Sequence, residues 1–154
     1  MPATTAPTSD EAGISDCING VAEAIRAKDL HALMEHYAPD PVIFDLMPLQ
    51  TLGRDAYRKN FESWFSMVKG PIEFETRDLR IATREDVAFG HYTSRIRCTR
   101  TSGPRTEYQV RVTVGLRKVD GRWLITHEHI SLPFASAEAM QAALGSRSAT
   151  NPSV

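Results

Sequence analysis

Hydrophobic residues in the first part of the chain recur at the spacing of an amphipathic helix. Thr8 and Glu11 stand three residues apart and predict a capping box at the start of this helix. A helix with 3.6 residues per turn then places six apolar positions on one face, which predicts packing on a core. These positions are Ile14, Cys17, Ile18, Val21, Ala24 and Ile25.

Two more helices and a short strand are predicted in the N-terminal half. Asp29 is a suitable N-cap for a short helix that ends before Pro39 and Pro41. Residues 42–46 predict a short strand. A third, strongly amphipathic helix follows from apolar residues at helical spacing, namely Tyr57, Phe61, Trp64, Phe65 and Val68.

The pattern changes to β-branched and aromatic residues after Gly70-Pro71. Asp120-Gly121 is the strongest hairpin signal in this part of the chain. Helices followed by antiparallel strands predict an α+β fold, in which a curved sheet wraps around the helices as an open cone and leaves a pocket. The predicted strands are residues 72–81, 87–100, 107–119 and 122–132, and a last helix is predicted over 136–144.

Length and composition limit the class of protein. The 154 residues suit a single domain, and we divide them into a loose tail over 1–9, a domain over 10–134, and a short C-terminal helix with a disordered end over 135–154. A net charge of -1 argues against binding to nucleic acid or to an anionic membrane. No apolar run reaches the about 18 residues of a membrane span, and no signal peptide is evident, so we predict a cytoplasmic protein.

The register of the last hairpin can be derived from its two-residue turn. Counting back from Asp120-Gly121, Val114 faces His127 and Val112 faces His129 if no bulge intervenes. Strict alternation then puts Glu128 on the outer face. The inner face is predicted to carry Val110, Val112, Val114, Leu116, Trp123, Ile125, His127, His129 and Ser131.

Asp45, His127 and His129 are the predicted catalytic residues. A carboxylate in the apolar segment around Asp45 can act as a general base, because burial raises its pKa. Alternatively, Asp45 ends the strand and accepts a hydrogen bond from its own turn. The two histidines can act as acid, base or donor, or they are pocket-wall residues bonded to backbone or water.

The predicted ligand contacts are the hydroxyl of Tyr92 and a set of apolar side chains around it. A His-x-His pair can also contribute two ligands to a metal site. Zinc needs at least a third protein ligand, which Asp45 or His91 could supply only if the fold happened to bring it close. We therefore predict neither a metal nor a cofactor. The predicted ligand-binding residues are Tyr92, Trp64, Phe61, Trp123, Val112 and Val114.

The order of the predicted elements and two segments, VRVTVGLRKVDGRWLITHEHISLPF (110–134) and INGVAEAIRAKDLHALMEHYAPDPVIFD (18–45), together carry a resemblance to a known family. The chain resembles the nuclear transport factor 2-like superfamily, and more narrowly its SnoaL-like, ketosteroid-isomerase-related branch. The resemblance covers about residues 12–134 and implies a cone-shaped α+β barrel, usually dimeric through the open face of the sheet.

Within this resemblance Asp45 matches the catalytic aspartate of ketosteroid isomerase, which moves a proton between carbons next to a ketone. The position of the tyrosine that holds the enolate is Val21, and no second acid is evident on the later strands, so steroid isomerisation is not predicted. His127, His129 or Tyr92 would have to replace these donors.

Two functions remain open at this point. The first is an isomerase, cyclase or hydratase-type enzyme that acts on a small apolar molecule with a carbonyl or similar acceptor. The second is a non-catalytic ligand-binding or oligomerisation module, since RWLITHEHIS (122–131) also resembles the association domain of the calcium/calmodulin-dependent kinase family. For either function we expect a homodimer.

Overall fold

The computed structural model describes residues 7–147, which form four helices and six strands. The predicted division into tail, domain and C-terminal end stays a prediction, because residues 1–6 and 148–154 lie outside the described range. The helices are α1 (Ser9–Ala27), α2 (Leu30–Met34), α3 (Arg54–Ser66) and α4 (Ala137–Arg147). The strands are β1 (Tyr37–Phe44), β2 (Thr51–Leu52), β3 (Val68–Arg84), β4 (Val87–Arg100), β5 (Arg105–Val119) and β6 (Arg122–Ser131).

The strands form one curved, unclosed sheet in the order β2-β1-β6-β5-β4-β3. The long strands β3 to β6 pair antiparallel in succession, and β1 joins β6 in parallel. Helix α1 packs across the inner face of the sheet against β3 and β6. The α+β prediction and its curved sheet around N-terminal helices are therefore confirmed.

Local sequence signals position α1 and α2 as predicted. Thr8 Oγ1 accepts a hydrogen bond from the Glu11 backbone, and the Glu11 side chain accepts one from the Thr8 backbone, which completes the capping box. Asp29 caps α2 in the predicted way. The six predicted apolar positions of α1 are all buried.

The first strand is longer than predicted and includes both prolines that were expected only to end the preceding helix. Pro39 and Pro41 lie inside β1, where the pairing with β6 is interrupted between Tyr37 and Val42. A proline has no N–H to give to a sheet, and the interrupted register accommodates this loss. Tyr37 is consequently a strand residue, and its side chain is buried.

The last hairpin confirms the predicted register only as far as Ile125. Asp120 and Gly121 have φ values of 49° and 78°, as a two-residue turn of type I′ requires. Leu116 pairs with Ile125, but the next pair is Gly115 with His127. Thr126 is thus an extra residue in β6, and its hydroxyl donates to the Gly115 carbonyl over 3.2 Å.

This bulge exchanges the two faces of β6 beyond Ile125. Glu128 and Ile130 line the inner cavity, whereas His127 and His129 lie on the outer face. The prediction that both histidines face inward and Glu128 outward is therefore wrong. The predicted inward orientation of Tyr92 on β4 is confirmed.

None of the helices within residues 7–147 is both long enough and apolar enough to cross a membrane.

Candidate functional site

A cavity of about 400 Å³ lies between the inner face of the sheet, helices α1 and α3, and the loop after β1. It reaches solvent between exposed residues that include Met47, Ser63 and Arg100. Its volume is in the range of small-molecule sites. Most of its wall is apolar, with Val21, Ile25, Phe61, Trp64, Phe74, Ile96, Val110, Val112 and Ile130.

Asp45 enters this cavity directly after the end of β1. Its Oδ1 accepts a hydrogen bond from the Leu46 backbone N–H at 2.6 Å. Burial raises the pKa of Asp45 above its ordinary value, and the Leu46 bond opposes that rise. Asp45 thus accepts the hydrogen bond of its own turn and also lines the cavity, while its role as a general base stays a prediction.

Glu128 is a second carboxyl group in the same cavity and is only 3% exposed. Its Oε2 accepts hydrogen bonds from the hydroxyls of Tyr37 at 3.0 Å and Tyr57 at 2.8 Å. Burial raises the pKa of Glu128 to about 7; the two tyrosines lower it, and ionised Asp45 raises it. About half of the Glu128 carboxyl groups are therefore protonated at pH 7, and most are protonated below it.

Two elements supply the tyrosines that hold Glu128. Tyr37 begins β1 and Tyr57 lies on the buried side of α3, with their rings edge to face at 5.2 Å. Burial and the nearby Glu128 carboxylate raise the pKa of both phenols well above the ordinary value, so both hydroxyls keep their protons and donate. Within residues 7–147 no Lys, Arg or His side chain forms a hydrogen bond or ion pair with Glu128. Its hydrogen-bond donors are the two neutral tyrosine hydroxyls.

The predicted ligand-binding residues divide into two groups. Phe61, Trp64, Tyr92 and Val112 line the cavity, although their contact with a ligand stays a prediction. Val114 and Trp123 face inward but do not line it, in contrast to the prediction. Val114 is buried in the core, and Trp123 packs on α1, where its Nε1 donates to Asp10 Oδ1 over 3.2 Å.

The outer-face histidines are separated from the cavity by the sheet. His127 Nδ1 lies 2.7 Å from the Val42 carbonyl oxygen, which holds β6 to β1. The Phe44 ring stands edge to face on both imidazoles, at 5.0 Å from His127 and 5.6 Å from His129. Among the described side chains no group of three or more His, Cys, Asp or Glu residues could hold a metal ion.

Sequence analysis missed Glu128, Tyr37 and Tyr57 as members of the site. The two tyrosines could only be assigned to an apolar core face, because their hydroxyl partner is distant in sequence. Glu128 carried one usable signal, since a single bulge before it would place it on the same face as Ile125 and Ile130.

Comparisons with known proteins agree on the family. The family model described as SnoaL-like domain matches residues 14–135. A structure of an NTF2-like protein of unknown function from Pseudomonas putida is 32% identical, with a TM-score of 0.75 over 86% of this chain and 93% of that chain. Comparison with curated proteins finds no match.

Two more distant structures share the fold. One is described as a ketosteroid isomerase-like protein from Erwinia carotovora atroseptica, with 21% identity, a TM-score of 0.73, and coverage of 83% of this chain and 99% of that chain. The other, provisionally described as a dehydratase of the NTF2-like family from Streptomyces avermitilis, is 17% identical, with a TM-score of 0.76, 84% of this chain and 100% of that chain. The extent of the family match and the identity to the Pseudomonas putida protein show that the chain belongs to the SnoaL-like branch of the NTF2-like superfamily.

Proposed function

We propose that the protein is an enzyme that transfers a proton at a carbon atom next to a carbonyl group of a small, largely apolar molecule. The observation that carries the proposal is that two carboxyl groups, Asp45 and Glu128, line one apolar cavity in different environments. Carboxyl groups whose pKa values are separated by their surroundings suit the roles of base and acid. The reaction class is isomerisation, cyclisation, or addition and loss of water.

Asp45 is the general base in this proposal. Its carboxylate takes the proton from the carbon, the electron pair of the broken C–H bond forms a carbon–carbon double bond, and the π pair of the carbonyl moves to the oxygen to give an enolate. The raised pKa of Asp45 makes it a stronger base than an exposed aspartate. Return of the proton from Asp45 to another carbon completes an isomerisation; alternatively, a β-hydroxyl group takes up that proton and leaves as water, which completes a dehydration.

Glu128 is the acid that stabilises the developing negative charge on the carbonyl oxygen. Both tyrosine hydroxyls donate to its Oε2, which leaves Oε1 to carry the proton of the neutral acid. Oε1 has no hydrogen-bond partner within residues 7–147, so its O–H is available to a bound oxygen. One such donor in a site of this kind contributes about 2.7–4 kcal/mol to the transition state.

A pocket filled by Phe61, Trp64 and Trp123 would favour the alternative of a non-catalytic module. Phe61 and Trp64 form walls of the cavity without closing it, and Trp123 packs elsewhere. The relatives described as a ketosteroid isomerase-like protein and a dehydratase support an enzyme of this class through their fold. We therefore favour catalysis.

A direct test is the exchange of the α-protons of 2-tetralone in D₂O, followed by proton NMR. The wild-type protein is expected to accelerate exchange above the buffer rate. Asp45→Asn keeps the size of the side chain but removes the base, so it should lower the rate by about 10²–10⁴-fold. His129→Asn on the outer face is the matched control and should exchange at the wild-type rate, whereas unchanged exchange by Asp45→Asn would contradict the proposal.

A further inference from the structure

Arg100 differs from the neighbouring arginines of the sheet in having no acidic partner. It lies at the end of β4, lines the cavity and is exposed at its mouth. Arg95, Arg97 and Arg105 at the same end of the sheet are all ion-paired with Glu73 or Glu107. Arg100 makes no hydrogen bond or ion pair with any described side chain, and the described lining of the cavity contains no other cationic residue.

Tyr108 provides a second donor in the part of the cavity near Arg100. It faces the cavity from β5 opposite Ile96, four residues before Arg100 on β4, and the Arg100 charge acts on its hydroxyl. Burial raises the pKa of Tyr108 to about 12 although the Arg100 charge lowers it, so the phenol stays protonated. Its hydroxyl has no hydrogen-bond partner in the range 7–147 and can donate to a ligand.

The two donors are far from Glu128 along the sheet. Glu128 pairs with Val114, which is six residues from Tyr108 on β5. Six residues of strand span about 20 Å at the backbone, and the side chains that reach into the cavity shorten this distance. Asp45 lines the same cavity, and its charge raises the pKa of both Tyr108 and Glu128.

On the basis of the proposed function, we infer that Arg100 and Tyr108 bind a carboxylate of the substrate at the mouth of the cavity. One guanidinium and one neutral hydroxyl match a single negative charge, whereas a doubly charged phosphate would require further cations. The apolar wall between the mouth and Glu128 fits the body of the molecule. The substrate class is thus an elongated oxo acid, in which an apolar ring system separates the carboxylate from the reacting carbonyl.

The experiment compares 4-(2-tetralon-6-yl)butanoate with its methyl ester, which lacks the negative charge and carries one additional methyl group. Their binding to the intact protein is measured by calorimetry. The wild-type protein is expected to bind the acid at least tenfold more tightly than the ester. Arg100→Gln should abolish this preference and change the affinity for the ester less than twofold, and Tyr108→Phe should reduce the preference severalfold.

Arg117→Gln is the matched control, because it removes one positive charge from the exposed outer face of β5. It should keep the full preference for the acid, which shows that net charge alone is not responsible. Equal binding of acid and ester by the wild-type protein would overturn the inference. So would equal weakening of both probes in Arg100→Gln, or no binding of either probe at its solubility limit.

The outcome is separable from that of the proposed function, because binding requires no turnover. If the acid preference depends on Arg100 while Asp45→Asn leaves 2-tetralone exchange unchanged, the anion site stands and the proposed reaction fails. If Asp45→Asn abolishes exchange while acid and ester bind equally, the reaction stands and the anion site fails.

Discussion

At the scale of single residues, the two carboxyl groups of the cavity differ because their surroundings differ. Glu128 is almost fully buried and has only neutral donors around it, so loss of solvent dominates and its pKa rises to about 7. Asp45 lies nearer the solvent-exposed loop and keeps a backbone donor, which favours its ionised form. The charge of Asp45 adds a smaller contribution to the raised pKa of Glu128.

The raised pKa of Glu128 predicts a dependence of stability on pH. The folded protein binds this proton more tightly than the unfolded chain, so the free energy of unfolding decreases as the pH rises from about 4.5 to about 7. Glu128→Gln is uncharged and escapes this loss. The free energy of unfolding of Glu128→Gln minus that of the wild type should therefore be up to about 3 kcal/mol larger at pH 8 than at pH 4.

Urea unfolding of both proteins between pH 4 and pH 8 measures this difference. Asp10→Asn serves as a comparison, since Asp10 is a carboxyl group outside the cavity whose pKa is lowered by Lys118 and Trp123. A difference between wild type and Glu128→Gln that is constant over the whole pH range would show that the pKa of Glu128 is the same in the folded protein and in the unfolded chain, and would contradict its rise on folding.

At the scale of elements, the features predicted correctly from the sequence are those that depend on interactions between residues close together in the chain. The capping box of Thr8 and Glu11, the cap at Asp29 and the Asp120-Gly121 turn depend on neighbours in the chain, and all three were predicted. The extra residue Thr126 could not be derived in this way. It is accommodated by the pairing of β6 with β1 and β5, which are distant in sequence.

The same bulge decides which residues form the candidate site. A slip of one residue moves every later side chain of a strand to the other face. The strand prediction was therefore correct for β6 while its inner face was wrong for His127, His129 and Glu128. Asp45 and Tyr92 were placed correctly because their positions do not depend on that bulge.

At the scale of the whole molecule, the outer face of the sheet carries exposed aromatic side chains. Phe89 is 52% exposed and stacks on His91, and Phe44 covers His127 and His129. At the other end of this face, the arginines are neutralised by Glu73 and Glu107. An apolar patch beside a balanced polar network suits the expected homodimer.

This arrangement predicts that Phe89 contributes to self-association. Sedimentation of the wild-type protein should give the mass of a dimer. Phe89→Glu places an acidic group in the apolar patch and should raise the dissociation constant at least tenfold, because burying an unpaired charge is costly. Leu49→Glu alters an exposed loop at the cavity side and should leave the dimer intact; a monomeric wild-type protein would contradict the expectation.

If Asp45 acts as base and protonated Glu128 as acid in one cavity, both groups determine the pH dependence of 2-tetralone exchange. Wild-type kcat/KM should rise as Asp45 ionises and fall again above about pH 7 as Glu128 loses its proton. Glu128→Gln should be slower but lack the decrease near pH 7. The same decrease at the same pH in both proteins would contradict the account.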